Sequence, residues 1–241
     1  MIKGLIFDYG GTLDTAGRHW GKVLWQTYLR HNVPVTEQQF REAYVHAERT
    51  LGSQNIIKPC DTFYNTLGTK LAIELGYMKA EGHIGYNDKA IEELRTSMLD
   101  DVYTMVKNET AHSGHILSVL CKDYPMVLVS NFYGNINTVL KEFGLDIFFN
   151  HVIESAVVGI RKPDHRIFAL GVKKLGIKPE ETIVVGDSFD KDIVPAKKAG
   201  CRTVWLKGEG WTEKNYDEKL PDAIITNLDE LLDIESYKQF N

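Results

Sequence analysis

Apolar positions in this chain follow two rhythms. Near the N-terminus, Leu5, Ile6 and Phe7 form a short run that stops at Asp8 and a Gly-Gly pair, the pattern of a buried strand ending in a turn. From there to about residue 122 the rhythm is helical. Trp20, Val23, Leu24, Thr27 and Tyr28 recur at three- and four-residue spacing, as do Phe40, Ala43, Tyr44 and Ala47. Phe63, Leu67, Leu71 and Leu75 repeat the spacing, and Ile91, Leu94 and Met98 follow it again. Such spacing predicts amphipathic helices, with Gly52-Ser53, Gly68 and Gly82 as breaks or weak points.

After about residue 122, strand and helix signals alternate. The apolar run 126–129 ends at Ser130-Asn131, and a helix follows with Ile136, Val139, Leu140 and Phe143 inward and Gly144 as its cap. Val152-Ile153 and Val157-Val158 come next, then a helical stretch over 164–175 stopped by Gly176. A strand at 183–185 leads to Gly186-Asp187-Ser188, and a helix over 190–199 closes at Gly200. Short strands are predicted at 203–206 and 223–225. This alternation implies βαβ units, hence an α/β fold with a doubly wound, Rossmann-like parallel sheet. The predicted core comprises residues 1–14 and 123–241, and residues 15–122 form a helical insert carried on it.

Bulk properties narrow the function classes. With 241 residues, 43% hydrophobic and 25% charged, a substantial core is possible and global disorder is not expected. The net charge of −5 argues against a nucleic-acid or membrane-surface partner. Cys60, Cys121 and Cys201 are odd in number and widely spaced, as reduced thiols of a cytoplasmic protein would be. The short apolar stretch before Asp8 lacks the form of a signal peptide, and no run approaches the ~20 apolar residues of a membrane span.

Chemistry gathers where strands end. In an open parallel sheet, ligands bind beyond the carboxyl ends of the strands. Those positions here hold Asp8, Ser130-Asn131 and Gly186-Asp187-Ser188 with Asp190 and Asp192 behind, while Arg161-Lys162-Pro163-Asp164 precedes a helix. Asp8 and Asp187 together can bind Mg²⁺, which prefers carboxylate oxygens and recruits phosphate. Asp8 can then attack phosphorus, with Thr12 and Ser130 hydrogen-bonding the phosphate, Lys162 balancing charge and the turn amides around Gly11 adding donors. The expected partner is a small phosphorylated molecule.

Four of these segments resemble, in order, the motifs of the haloacid dehalogenase superfamily. Asp8-Tyr9-Gly10-Gly11-Thr12-Leu13 resembles the first, Ser130-Asn131 the second, Lys162-Pro163-Asp164 the third and Gly186-Asp187-Ser188 through Asp192 the fourth. The resemblance implies a Mg²⁺-dependent hydrolase with a helical cap of the C1 type over the site. It makes Asp8 the nucleophile, Lys162 its cationic partner, and Thr12, Ser130, Asn131 and Gly11 the phosphate contacts. Asp8, the Gly10 carbonyl and Asp187 become metal ligands, and Asp192 and Ser188 support the site indirectly.

One departure matters. Phosphatases of the family carry an acid/base aspartate two residues after the nucleophile, and here that position is Gly10. Three readings follow. One is a phosphatase with a weakened acid step, which should favour aryl or acyl phosphates. Another is a phosphonatase-like enzyme using a lysine among Lys22, Lys58, Lys70, Lys79 and Lys89. The third is a catalytically silent phosphoryl-ligand-binding protein. Dehalogenase chemistry fits less well, since Tyr9 is one position early and should point away from the site. His19 and Trp20 are open to either packing or a substrate role, and His112-x-x-His115 reads as a helix surface.

Overall fold

The computed structural model describes residues 1–212 and 214–232, so residues 233–241 of the expected core lie outside the described residues. Six strands form one sheet: β1 (Gly4–Phe7), β2 (Met126–Ser130), β3 (His151–Glu154), β4 (Thr182–Gly186), β5 (Arg202–Leu206) and β6 (Ala223–Ile225). Their order is β3-β2-β1-β4-β5-β6, and every pairing is parallel. Every residue of β1, β2 and β4 is buried, which is why these strands read as unbroken apolar runs instead of alternating ones. The chain winds outward from β1 to β3, then restarts at β4 on the other side of β1. This puts the topological switch point between β1 and β4, directly beyond Asp8 and Asp187.

Alternate strand residues face opposite layers. Leu5, Phe7, Leu128 and Val185 pack toward the helical insert and α5 (Ile136–Glu142). Ile6, Val127, Val129 and Val184 pack against Ile167, Phe168 and Val172 of α7 (Arg166–Leu175).

Between β1 and β2 lie α1 (Trp20–Arg30), α2 (Glu37–Ser53), α3 (Phe63–Ala80) and α4 (Asp88–Leu120). Side chains of Thr36, Thr62 and Asn87 cap the starts of α2, α3 and α4, satisfying amides that have no helical partner. At 33 residues, α4 is about 50 Å long. That length carries it back to the sheet, where Ser113 donates to the Leu13 carbonyl at 2.8 Å. The insert is also tied to the core by Asn135, whose amide donates to the Asp61 carbonyl and to Thr66 Oγ1, both at 2.8 Å. Arg41 stands 4.2 Å over the ring of Trp211.

Three local expectations differ from the structure. Gly68 does not break a helix but sits inside α3. A Cβ there would come 3.1 Å from Arg95 Nη1 and 3.2 Å from Leu99 Cδ2, so the glycine permits close approach of α4. Val157-Val158 ends a short helix, α6 (Ser155–Val158), closed by left-handed Gly159. The stretch over 190–199 is a π-helical turn (Phe189–Ile193) leading into α8 (Val194–Lys198). Pro195 has no amide to give the preceding turn, and the Val194 amide reaches back to Phe189. Among the described residues, no helix is long and apolar enough to cross a membrane.

Candidate active site

At the switch point, the ends of β1, β2 and β4 and the facing surfaces of α2 and α3 enclose a cavity of about 170 Å³. Asp8 enters it from β1, Ser130 and Asn131 from β2, and Asp187 and Ser188 from β4. Lys162 is the centre of the charge arrangement. Its ammonium, 2% exposed, donates to Asp8 Oδ1 and to Asp192 Oδ1, both at 2.7 Å. Asp192 accepts in turn from the Ser188 amide at 3.1 Å.

One cation faces three carboxylates here. Asp8, Asp187 and Asp192 each offer an oxygen within 4.8 Å of the others. Burial pushes the Asp8 carboxyl up to about 6, despite the lowering pull of Lys162. Burial and then the Asp192 and Asp8 charges hold Asp187 well above the usual carboxylate range. The cluster is short of positive charge, and its donors are hard oxygen atoms. It therefore fits a small divalent cation such as Mg²⁺.

The glycines and Thr12 shape this cluster from below. Gly11 has φ +98°, and a Cβ there would overlap the Asp187 carboxylate. Thr12 is fully buried and its hydroxyl is spent on Asp187, donating to Oδ1 and accepting from the amide, each at 3.0 Å. Thr12, expected to hydrogen-bond phosphate, here fixes the Asp187 side chain and does not line the cavity. Asn131 lines the cavity, but both ends of its amide hold the Lys162 backbone, at 3.1 and 3.0 Å. Its amide thereby fixes the lysine loop. Ser130 lines the cavity, and among the described residues its hydroxyl has no hydrogen-bond partner.

Gly10 also lines the cavity, and the space where its side chain would stand is open. A Cβ there would meet only the Trp20 indole, at 3.8 Å. Trp20 Nε1 donates to Asp14 Oδ2 at 3.0 Å, and the Gly11 amide donates to Asp14 Oδ1 at 2.7 Å. Burial pushes Asp14 up to about 7, these two donors notwithstanding. Tyr9 is fully buried, its hydroxyl without a hydrogen bond among the described residues and its ring edge-on to Phe132; it does not line the cavity.

The insert supplies the opposite wall. His19 and Trp20 both line it, His19 with Nδ1 accepting from the Gly21 amide at 3.0 Å. Burial, helped by nearby Lys191 and Lys70, lowers His19 to about 4, so it is neutral near pH 7. Of the five candidate amines Lys22, Lys58, Lys70, Lys79 and Lys89, Lys70 alone lines the cavity. It pairs with Glu48, which also accepts from Tyr133 at 3.0 Å, and lies 4.1 Å over the ring of Tyr44. Glu48, Tyr133, Asp14 and Lys191 were not singled out from the sequence. Asp14 adjoins the first motif, but Glu48 and Lys70 lie on different helices and carry no joint signal.

With this geometry in place, similarity to known proteins identifies the class. The haloacid dehalogenase-like hydrolase family model matches residues 2–200, and the chain belongs to that family. It is 42% identical over 91 residues to glyceraldehyde 3-phosphate phosphatase of Pyrococcus furiosus, covering 37% of this chain and 38% of that one. The chain thus spans well under half the length of that relative. A namesake from Methanothermobacter thermautotrophicus is 26% identical over 97% of this chain and its own full length. In fold, the chain resembles the putative HAD-hydrolase YfnB from Bacillus subtilis bound to magnesium, at a TM-score of 0.57 and 19% identity, covering 97% and 98% of the two chains.

Proposed function

We propose that this protein is a Mg²⁺-dependent phosphatase of small phosphorylated metabolites, working through an aspartyl-phosphate at Asp8. The observation that carries the reading is Lys162 clamped between Asp8 and Asp192 with Asp187 beside them, at the switch point of the sheet. Phosphatase names among the relatives support it, and a cavity of about 170 Å³ suits a metabolite smaller than the ~300–1,000 Å³ pockets of drug-sized ligands.

Asp8, Asp187 and the Gly10 carbonyl would hold the metal, which when bound would offset the charge of the phosphate. Asp8 attacks phosphorus from the end of β1, and the P–O bond to the alcohol breaks. Lys162 keeps the attacking carboxylate ionised and balances charge as it is consumed. Ser130 offers its hydroxyl to a phosphate oxygen. Thr12 and Gly11 act one step removed, by fixing Asp187. The insert over residues 15–122 serves as the cap that closes the site and excludes water. The free thiols of Cys60 and Cys121 on the surface fit a cytoplasmic protein.

The leaving group receives no proton from position 10. Trp20 faces that space, and its only N–H is committed to Asp14. General acid–base help is worth ~10²–10⁴ in rate, so its loss falls on poor leaving groups. Water then hydrolyses the Asp8-phosphate to release phosphate, a step common to all substrates. Transfer to Asp8 should be faster from aryl than from sugar phosphates, and comparing kcat/KM on the two is the test. Equal rates would mean another group protonates the leaving oxygen.

The phosphonatase reading draws no support from Lys70. Burial lowers its proton affinity, but Glu48, with Tyr133 and Glu74, outweighs this and leaves it raised. A Schiff-base lysine needs the reverse. The silent-binder reading retains one observation in its favour, the empty acid position, and turnover separates the two.

A further inference from the structure

Buried ion pairs contribute little to stability against apolar residues of the same size, because desolvation offsets their attraction. One on a cavity wall therefore calls for another reason. Lys70 of α3, 9% exposed, is buried in a pair with the partly exposed Glu48 of α2, and both line the cavity that Asp8 enters. Around them the insert and the loop after β2 present Trp20, Phe63, Leu67 and Phe132, which are apolar.

Resting on the phosphatase reading and narrowing it, we infer that the Glu48–Lys70 pair recognises the uncharged, hydroxyl- or carbonyl-bearing end of the substrate and discriminates against phosphorylated carboxylic acids. Glu48 Oε1 accepts from both Lys70 and Tyr133. Among the described residues nothing donates to Glu48 Oε2, so it is open to a substrate hydroxyl. Lys70 has two further N–H groups, one of which can reach a substrate oxygen. A carboxylate in the same place would find Lys70 already neutralised and Glu48 repelling it.

Charge over the whole cavity supports the same choice. Asp8, Glu48, Asp187 and Asp192 line it against Lys70, Arg161, Lys162 and Lys191, four of each sign, with His19 neutral. A divalent cation and a phosphate dianion leave that balance unchanged. A second anionic group on the substrate would not be compensated, and juxtaposed like charges are disfavoured.

The experiment compares kcat/KM for glyceraldehyde 3-phosphate, phosphoglycolate and phenyl phosphate in wild type, Glu48→Gln and Tyr133→Phe. Circular dichroism and the thermal transition report the folding of each variant. Wild type should favour the triose phosphate over phosphoglycolate by about tenfold or more. Glu48→Gln frees Lys70 for a carboxylate, and should move that ratio toward phosphoglycolate by about tenfold or more, chiefly through KM. Tyr133→Phe removes a donor to the Glu48 carboxylate, leaving its charge less compensated, and should move the ratio by a smaller factor the other way, further from phosphoglycolate. A folded Glu48→Gln, or failing that a folded Tyr133→Phe, with the wild-type ratio overturns the inference, as does a wild type that prefers phosphoglycolate. Absence of phosphate release from all three substrates by wild type overturns the phosphatase reading itself, and this inference with it.

Discussion

Lys162 Nζ donates to Asp8 Oδ1 at 2.7 Å, and the same ammonium is shared at the same distance with Asp192. Lys162 thus holds the proposed nucleophile to the helix that follows β4. Replacing it by methionine leaves Asp8, Asp187 and Asp192 with no buried cation among them. Breaking a buried pair costs about 3–5 kcal/mol. Lys162→Met should lower the melting temperature markedly without metal and recover part of the loss in millimolar Mg²⁺. Calorimetry with and without Mg²⁺ checks this, and an unchanged transition would remove Lys162 from its place in the charge balance.

Two neighbouring glycines should respond in opposite ways. At Gly11 the backbone has φ +98° and a Cβ would overlap the Asp187 carboxylate. Gly11→Ala should destabilise the fold by about 1–3 kcal/mol from backbone strain and abolish Mg²⁺-dependent stabilisation, both read in thermal melts. At Gly10 there is room beside Trp20. Gly10→Asp should fold normally and raise turnover of sugar phosphates by ~10²-fold or more.

Most of the sheet was legible because a strand buried on both faces leaves an unbroken apolar run, as at β1, β2 and β4. Asp8, Lys162 and Asp187 were legible because each stands at a strand end or loop inside a short motif. The roles of Thr12 and Asn131 were not. Residue type gives a hydroxyl or an amide, and only packing shows it is already used by Asp187 or by the Lys162 backbone. Gly68 misled for a similar reason. Its missing side chain makes room for Arg95 and Leu99, a contact between helices that local pattern does not contain. The Glu48–Lys70–Tyr133 wall was hidden because its members come from α2, α3 and the loop after β2, 22 and 85 positions apart.

Glu74 gives the insert a pH dependence. It is fully buried in α3, accepts from the Tyr28 hydroxyl at 3.0 Å, and its other oxygen has no partner among the described residues. Burial, only partly offset by Lys70 and Tyr28, pushes it from the usual 4.5 to about 7. A carboxyl raised in the folded state resists ionisation there, so stability falls as pH rises from about 4.5 through 7, by on the order of 1.4 kcal/mol per unit. Below that window the term is absent. Asp14 and Asp8 act in the same sense, so the difference between proteins is the readout. Glu74→Gln should flatten the decline between about pH 4.5 and 7 in chemical denaturation. Parallel curves for the two proteins would show that Glu74 ionises freely.

Phosphate release from phenyl phosphate by wild type and Asp8→Asn, each with Mg²⁺ and with a chelator, is the most direct measurement. The expected result is release by wild type that requires Mg²⁺ and is lost in folded Asp8→Asn. Equal release by Asp8→Asn, or none by wild type with this easy leaving group, would contradict an Asp8-centred phosphatase.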